Sequence, residues 1–288
     1  MNYKSYHVPV LLFPILNYFG VNNQSIILDG TLGFGGHASE LLLLAPNACY
    51  IGFDRDKFAL NHAKELCGEY SGFSAVNQSY SSMFQYCKEK SIKCSHLLLD
   101  LGVSSFQIDQ SERGFTFQKD EPLDMRMDQH ALLTAKEVLA TYSDAQLIHL
   151  FSEEGDIKNS QKLVSNIMIA RDNNKLDTSF QLLDCIKRAF FFKSRSHYIA
   201  MATKVFQAIR VEVNNEMGEL KSILADLLTV SDITVAIITF QPNEDRLVKS
   251  FIKENKLECV QKKPFMASYN ECRQNPREKS AKLRIFYV

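Results

Sequence analysis

The chain has 288 residues, of which 45% are hydrophobic and 23% charged, and its formal net charge at pH 7 is zero. This composition is ordinary for a globular protein with one large domain or two smaller ones, and it gives no general sign of nucleic-acid binding. Seven scattered cysteines without a Cys-x-x-Cys pair, no membrane-length apolar run and no signal peptide predict a cytoplasmic protein without disulfides or membrane anchorage.

Short apolar runs alternate with helical patterns in the first third of the chain. The runs cover residues 25–29, 49–54, 73–76 and 96–101. Nearly continuous apolar strands separated by helices predict a parallel sheet that is covered on both faces. Ligands of such sheets bind beyond the carboxyl ends of the strands, and the sequence places Asp29, Asp54 and Asp100 at those ends.

A glycine-rich turn, DGTLGFGGH, joins the first strand to the first helix of this sheet. The spacing of Gly33, Gly35 and Gly36 matches neither the dinucleotide fingerprint nor a P-loop. Asp29 would also repel a pyrophosphate, whereas an acid beside such a turn suits a ligand with an amino group. S-adenosylmethionine, which has an ammonium, a sulfonium and no phosphate, is such a ligand. His37 ends the turn, and we expect it to lie in this site without an acid–base role.

Two further acids bear on the choice of ligand. Asp54 follows Gly33 at the offset expected for an acid that binds ribose hydroxyls. On its own, Asp54 would be interpreted as a helix N-cap. Because NAD also has ribose hydroxyls, it remains an alternative ligand. Asp100 favours methyl transfer, because in amino methyltransferases the fourth strand carries the catalytic loop. The usual Pro-Pro-aromatic residues are replaced here by Leu-Gly-Val-Ser-Ser, so simple turn capping by Asp100 competes with a catalytic role.

The strand pattern stops after the fourth strand. Residues 108–205 read as loop and helix, so we predict a helical insertion there for substrate recognition. A long helix over 206–229, a strand at 233–240, a short helix and a final strand at 282–288 then complete the sheet. The predicted organisation is a methyltransferase domain in two parts, 1–107 and 206–288, separated by the insertion.

The loop at 112–128 interleaves arginines with aromatic residues and methionines. Such a loop suits a flipped nucleic-acid base, which it would stack and bind along its edge. It suits equally a loop that docks on the core through Phe115, Phe117 and Met125, and the pattern does not decide between the two.

Together these stretches resemble the bacterial 16S ribosomal RNA cytosine-N4 methyltransferase family known as MraW or RsmH. The resemblance runs in order along almost the whole chain. The matching segments are HVPVLL (7–12), DGTLGFGGH (29–37), DRD (54–56), LLLDLGVSSFQID (97–109), ERGFTF (112–117), PLDMRMD (122–128), FQAIRVEVN (206–214) and NPREKSAKLR (275–284).

The resemblance implies an α/β, class I (Rossmann-like) methyltransferase fold with an α-helical insertion. It implies S-adenosylmethionine as methyl donor, and as substrate a decoding-centre cytidine of 16S RNA in the small ribosomal subunit, methylated on its exocyclic N4 amine. Asp100 is the implied catalytic residue. The implied donor contacts are Gly35, Gly36, His37, Asp54, Tyr80, Asp100 and Gln107, with Tyr80 beside the adenine.

The chain departs from the family after the fifth strand. The family reads Ser-Phe-His-Ser-Leu-Glu-Asp-Arg there, whereas this chain has Gln241, Pro242 and Asn243 in place of His, Ser and Leu. A catalytically silent ribosome-binding protein therefore stays an alternative, as does an NAD-dependent oxidoreductase. No histidines or cysteines have metal-ligand spacing, so no catalytic metal is predicted.

Two basic segments are the predicted RNA contacts of this otherwise neutral chain. Residues 187–210 carry six basic side chains and no acid, and 262–284 carry seven against two acids. We expect both to contact RNA phosphates while the 112–128 loop holds the flipped base. The apolar run Phe190 to Phe192 is expected to be core instead.

Overall fold

The structure is a computed structural model that describes residues 9–109 and 112–288. His7 and Val8 of the 7–12 motif, and Ser111, lie outside the described residues. Contacts between residues divide the chain into two compact units. The first comprises Met1–Gly102 and Met217–Val288, and the second comprises Val103–Glu216. The predicted insertion, 108–205, falls inside the second unit.

The strands all belong to the first unit, and the helices are shared between the two. The strands are β1 (Ile26–Asp29), β2 (Cys49–Phe53), β3 (Phe73–Val76), β4 (His96–Asp100), β5 (Thr234–Thr239) and β6 (Lys282–Tyr287). The α-helices are α1 (Leu12–Tyr18), α2 (Gly36–Leu44), α3 (Lys57–Cys67), α4 (Met83–Lys90), α5 (Ser105–Asp109), α6 (Ala135–Thr141), α7 (Asp144–Glu153), α8 (Gln161–Asp172), α9 (Ser179–Ala189), α10 (Arg195–Val213), α11 (Glu216–Leu227), α12 (Pro242–Glu254) and α13 (Tyr269–Gln274).

The six strands form one sheet in the order β3-β2-β1-β4-β5-β6. The first five are parallel to one another, as the apolar runs predict. Strand order reverses between β1 and β4, and open sheets of this kind bind ligands at that crevice. The sheet confirms the Rossmann-like fold class.

Both faces of the sheet are covered by helices. Successive strand residues point to opposite faces, so neighbouring residues belong to different cores. Ile27 belongs to a core that includes residues of α1, α2 and α3, whereas its neighbour Leu28 belongs to a second core with α4, α11 and α12. Two-sided burial explains why these strands are apolar at nearly every position.

The second unit is helical in the part of it that the structure describes. Its core is formed by residues from α6, α7, α8, α9 and α10, together with Leu123 and Met125. Capping boxes at Thr134 and Ser143 begin α6 and α7, so the sequence from 134 to 153 makes two helices and not one. No helix in the described ranges is both long and apolar enough to cross a membrane.

The single helix predicted over 206–229 is wrong. α10 ends at Val213 and α11 begins at Glu216. The Asn214 side chain donates to the Met125 carbonyl at 2.8 Å and accepts from the Met127 N–H at 2.8 Å. Asn215 then takes a positive φ of 50°, a conformation that asparagine tolerates better than most residues. These bonds to a loop distant in sequence explain why local periodicity missed the break.

The last strand runs against the others, since β6 pairs antiparallel with β5. After α12 the chain passes along the far side of β6, where Cys259 and Phe265 form antiparallel bridges to Phe286 and Leu283. This pass returns the chain to the carboxyl edge of the sheet before β6 begins. It therefore brings residues 275–281 to the edge where ligands of such sheets bind.

Candidate active site

Asp29, at the end of β1, is a buried carboxylate that holds the glycine turn. Its Oδ2 accepts from the Tyr50 hydroxyl at 2.7 Å, and its Oδ1 accepts from the Thr31 N–H at 3.0 Å. Burial raises the pKa of Asp29 to about 6. With only 2% of its surface exposed and both oxygens bonded within the protein, Asp29 supports the turn and does not present its carboxylate to a ligand's amino group.

The glycines permit this turn to pack closely on its neighbours. Gly33 and Gly35 have φ angles of 52° and 82°, in the region that favours glycine. A Cβ on Gly35 would lie 3.3 Å from Ala63 in α3, and one on Gly36 would lie 3.1 Å from the Pro9 ring. The turn is thus fixed between α3 and the segment that precedes α1.

Asp54 follows β2 and is tied to the same turn. Its Oδ2 accepts from the Gly33 N–H at 2.8 Å, and its Oδ1 accepts from the Asp56 N–H at 2.8 Å. The residue that caps α3 is Asp56, whose side chain accepts from Phe58, so the simple N-cap explanation applies to Asp56. Asp54 is half-buried, and its carboxylate oxygens have further lone pairs that can accept from hydroxyl groups. Burial raises the pKa of Asp54 to about 6.

Asp100, at the end of β4, has a buried oxygen without a partner. Its backbone N–H donates to Thr31 Oγ1 at 2.6 Å, which joins β4 to the turn after β1. Its Oδ1 has no hydrogen-bond partner among the described residues, although 25% of the side chain is exposed. Burial, followed by the charges of Asp29 and Glu244, raises the pKa of Asp100 to about 8. A carboxylate with an unused acceptor is suited to a ligand that donates a hydrogen bond.

His37 lies beside Asp100 as a neutral imidazole. Its Nε2 is 3.0 Å from the Val10 carbonyl, and burial lowers its pKa to about 4. A carbonyl oxygen only accepts, so Nε2 carries the ring proton and Nδ1 its lone pair. Nδ1 is 3.9 Å from Asp100 Oδ2. The contact is therefore not an ion pair.

Residues far apart in sequence fix the carbonyl that holds His37. The Leu11 N–H donates to Glu278 Oε1 at 3.3 Å, and Asn275 Nδ2 lies 3.5 Å from the same oxygen. Leu11 has a φ of 52°, a strained conformation for leucine that this hydrogen bond helps to maintain. We call Val10, Leu11, Asn275 and Glu278 the latch. It gives the Asn275-to-Glu278 part of the NPREKSAKLR motif a structural role.

Tyr80 and Gln107, the two remaining predicted donor contacts, lie in different units. Tyr80 begins a 3-10 turn after β3, and a Cβ on Gly30 would lie 2.5 Å from Tyr80 Cβ, so Tyr80 packs directly on the end of β1. Gln107 belongs to the second unit, where its Oε1 accepts from the Ser104 N–H at 3.0 Å. The first unit thus brings six of the predicted residues to the carboxyl edge of β1, β2 and β4: Gly35, Gly36, His37, Asp54, Tyr80 and Asp100.

Gln241 and Glu244, which follow β5, were not among the predicted site residues. Glu244 is buried, and its Oε2 accepts from the N–H groups of Phe240 and Gln241 at 2.8 and 3.0 Å. The sequence signal was available, since an acid three residues after a polar residue is the mark of a capping box. Asn275 and Glu278 of the latch have the same spacing, but nothing in the sequence indicates that Glu278 binds the distant Leu11 N–H.

The 112–128 loop is largely internal to the second unit. Met125 is fully buried, and Phe115 and Phe117 pack against the helical core. The guanidinium of buried Arg113 donates to the carbonyls of Arg126 and Met127 at 3.0 and 3.3 Å. These contacts favour the docked loop over the loop that holds a base.

The basic segments are only partly available to a ligand. Arg210 pairs with Glu216 at 2.7 Å, and Lys282 and Arg284 both pair with Asp245 at 2.9 Å, so these three cations are occupied within the protein. Arg188, Lys193 and Arg195 are exposed and have no ion pair among the described residues. Phe190 and Phe192 pack against the core as predicted, but Phe191 is 84% exposed, so the prediction was wrong for that residue.

No group of three or more metal-ligating side chains occurs in the described parts of the chain.

Comparison with known proteins gives a consistent result. Residues 4–288 match the profile of the MraW methylase family. "Ribosomal RNA small subunit methyltransferase H" of Persephonella marina is 38% identical over 97% of this chain and 98% of its own. The protein of the same name from Dictyoglomus thermophilum is 37% identical over 98% of this chain and 96% of its own.

Proposed function

The chain belongs to the MraW methylase family, and on that premise we propose that it methylates the exocyclic N4 amine of a decoding-centre cytidine in 16S RNA. Membership makes the chain an S-adenosylmethionine-dependent ribosomal RNA methyltransferase. The target atom, its place in the decoding centre and the small subunit as the assembled substrate are the proposal. The family leaves no support for an NAD-dependent oxidoreductase.

The unpartnered Oδ1 of Asp100 is the observation that carries the proposal. A buried acceptor without a donor costs about 1–3 kcal/mol, so its retention calls for a functional explanation. A cytosine amine has two N–H donors and is a suitable partner. The Asp100 carboxylate lies where strand order reverses. The Asp100 N–H is bonded to Thr31 in the turn after β1, and the Gly33 N–H of the same turn is bonded to Asp54.

The donor-site residues fit S-adenosylmethionine, which supplies an electrophilic methyl group on sulfur. We assign Asp54 to the ribose hydroxyls and Tyr80 to the adenine, with Gly35, Gly36 and His37 shaping the turn between them. Gln107 is retained as a proposed donor contact. The turn has no lysine, and its glycines do not have the spacing of a P-loop.

Asp100 acts on the amine by accepting one of its N–H groups. Cytosine N4 is a poor nucleophile because its lone pair is delocalised into the ring, and an acceptor on the N–H favours the pyramidal nitrogen that attacks carbon. Methyl transfer from sulfur to N4 leaves a proton to be removed from the nitrogen. Asp100 can accept this proton only in its ionised form, and its pKa of about 8 makes that form a stronger base than an ordinary carboxylate. His37 lies beside the carboxylate as a neutral ring, with Nδ1 3.9 Å from Oδ2, and donates no hydrogen bond to it.

Asp100→Asn tests this assignment, because the amide keeps the size of the carboxylate and loses its charge. We expect methyl transfer to fall by about 100-fold or more while affinity for S-adenosylmethionine stays within a few fold. Radiolabelled methyl transfer to small subunits and calorimetry with the donor measure the two quantities. Equal losses in both would assign Asp100 to donor binding alone.

The target is tested separately in cells. Mass spectrometry of 16S RNA from a strain that lacks the protein should show one decoding-centre cytidine without its N4 methyl group. A normal methylation pattern would overturn the proposed target.

A further inference from the structure

The Gln241 side chain has two ends with different environments. Gln241 is the N-cap of α12, and its amide accepts from the Glu244 backbone N–H in a capping box. Of the two polar atoms of the amide only Oε1 can accept from an N–H, so the capping box leaves Nε2 for another partner. The side chain is 7% exposed.

The amide nitrogen of Gln241 is buried and has no hydrogen-bond partner among the described residues. Capping does not require it, because serine or aspartate caps a helix as well without an amide nitrogen. In the described part of the first unit, the other buried side-chain atom in this condition is Asp100 Oδ1. The Gln241 nitrogen is a donor, and the Asp100 oxygen is an acceptor.

The Asp100 and Gln241 side chains lie at the carboxyl ends of two adjacent strands, β4 and β5. Asp100 is in register with Ile238 of β5, and the Leu101 N–H donates to the Ile238 carbonyl at 3.0 Å. Gln241 follows Ile238 by three residues. Glu244, which binds the Gln241 backbone at 3.0 Å, is close enough for its charge to act on Asp100.

We propose that the Gln241 amide N–H donates to ring nitrogen N3 of the target cytosine while Asp100 accepts from its N4 amine. The inference rests on the proposed function and adds the group that selects the base. N3 is an acceptor in cytosine and carries a proton in uracil, where O4 also replaces the N4 donor. The Asp100–Gln241 pair therefore matches cytosine at both atoms and opposes uracil at both.

Gln241 is a positioning residue in this proposal, since it contacts the base beside the reacting atom. A hydrogen bond to N3 orients the ring, and it does not make N4 more nucleophilic. Its loss should therefore appear mainly in the use of RNA and not in donor affinity.

Gln241→Ser is the decisive variant, because a serine at the N-cap with Glu244 three residues later preserves the capping box. We expect kcat/KM for the RNA substrate to fall by about 10- to 100-fold. Donor affinity and thermal stability should be unchanged, or stability slightly raised. Thr134→Ser, a change at the capping box of α6, is the matched control and should leave all of these quantities unchanged.

A substrate with 3-deazacytidine at the target position isolates the proposed contact, because N3 is replaced by C–H while the amine is kept. Wild type and Gln241→Ser should methylate this substrate at the same rate. An undiminished kcat/KM for Gln241→Ser on normal RNA, or an undiminished difference between the proteins on 3-deazacytidine, would overturn the inference. If wild type itself fails to methylate N4, the proposed function fails instead.

Discussion

Asp100 combines the proposed catalytic role with an energetic cost to the folded state. Its pKa is raised from 3.8 to about 8 in the folded protein, so the folded state binds more protons than the unfolded state between those values. The free energy of unfolding therefore decreases as pH rises through that range. Asp29 and Asp54, whose pKa values are raised to about 6, add to the decrease at the acid end.

Removing this carboxylate should therefore flatten the pH dependence of stability. Relative to wild type, Asp100→Asn should gain about 2–4 kcal/mol between pH 5 and pH 9, less than the full shift gives because a quarter of the side chain is exposed. Urea unfolding at both pH values measures the difference. Parallel pH profiles for the two proteins would show that Asp100 titrates near its ordinary pKa.

Single residues show where sequence reasoning succeeded and where it stopped. The positions of Asp54 and Asp100 at strand ends were predicted correctly, because the ends of parallel strands are recognisable from apolar runs. The amide of Gln241 was noticed only as a departure from the family, since its significance depends on which of its atoms lack a partner. That property exists only in the folded chain.

At the scale of elements, the helices and strands of the first unit followed from periodicity. α2, α3 and α4 lie between the apolar runs, where the sequence shows helical patterns. The break between α10 and α11 and the reversed β6 did not follow, because both depend on contacts with distant segments. The latch is of the same kind.

The latch should be necessary for activity although its residues are not among the proposed site residues, because it fixes the Val10 carbonyl that binds His37. Glu278→Ala leaves the buried Leu11 N–H without an acceptor, so we expect a loss of about 1–3 kcal/mol in unfolding free energy and a fall in methyl transfer. Glu278→Gln keeps an oxygen acceptor at the same place and should restore most of both. Denaturant unfolding and transfer assays check this, and equal defects in the two variants would contradict the role of the hydrogen bond.

At the scale of the whole molecule, zero net charge conceals local imbalance. Part of the predicted basic surface is neutralised within the protein, as Arg210 and the Asp245 pairs show. Exposed Arg188, Lys193 and Arg195 remain as the phosphate contacts that we propose in the second unit. Sequence counts of charge could not separate these two groups, because pairing depends on the fold.

Replacing Lys193 and Arg195 together with alanine should weaken RNA binding and make it less sensitive to salt. Each phosphate contact contributes about one to the slope of log K against log salt, so the slope should decrease by about two. Filter binding over a salt series measures it, and donor affinity should not change. Lys88→Ala with Lys90→Ala, exposed cations of α4, is the charge-matched control. An unchanged slope in the 193/195 variant would remove this segment from the RNA-binding surface.

The separation of the first unit into two stretches of sequence has a consequence for biosynthesis. The glycine turn and Asp100 are translated early, whereas β5, Gln241 and the latch glutamate are translated only after the whole of the second unit. Until then β4 lacks its neighbour on one side, and both cores of the sheet lack part of their cover. The second unit is continuous and can fold first. A nascent chain therefore carries the glycine turn that we propose to bind the donor well before it has Gln241, and on our proposal it becomes selective for cytosine only in the last stage of translation.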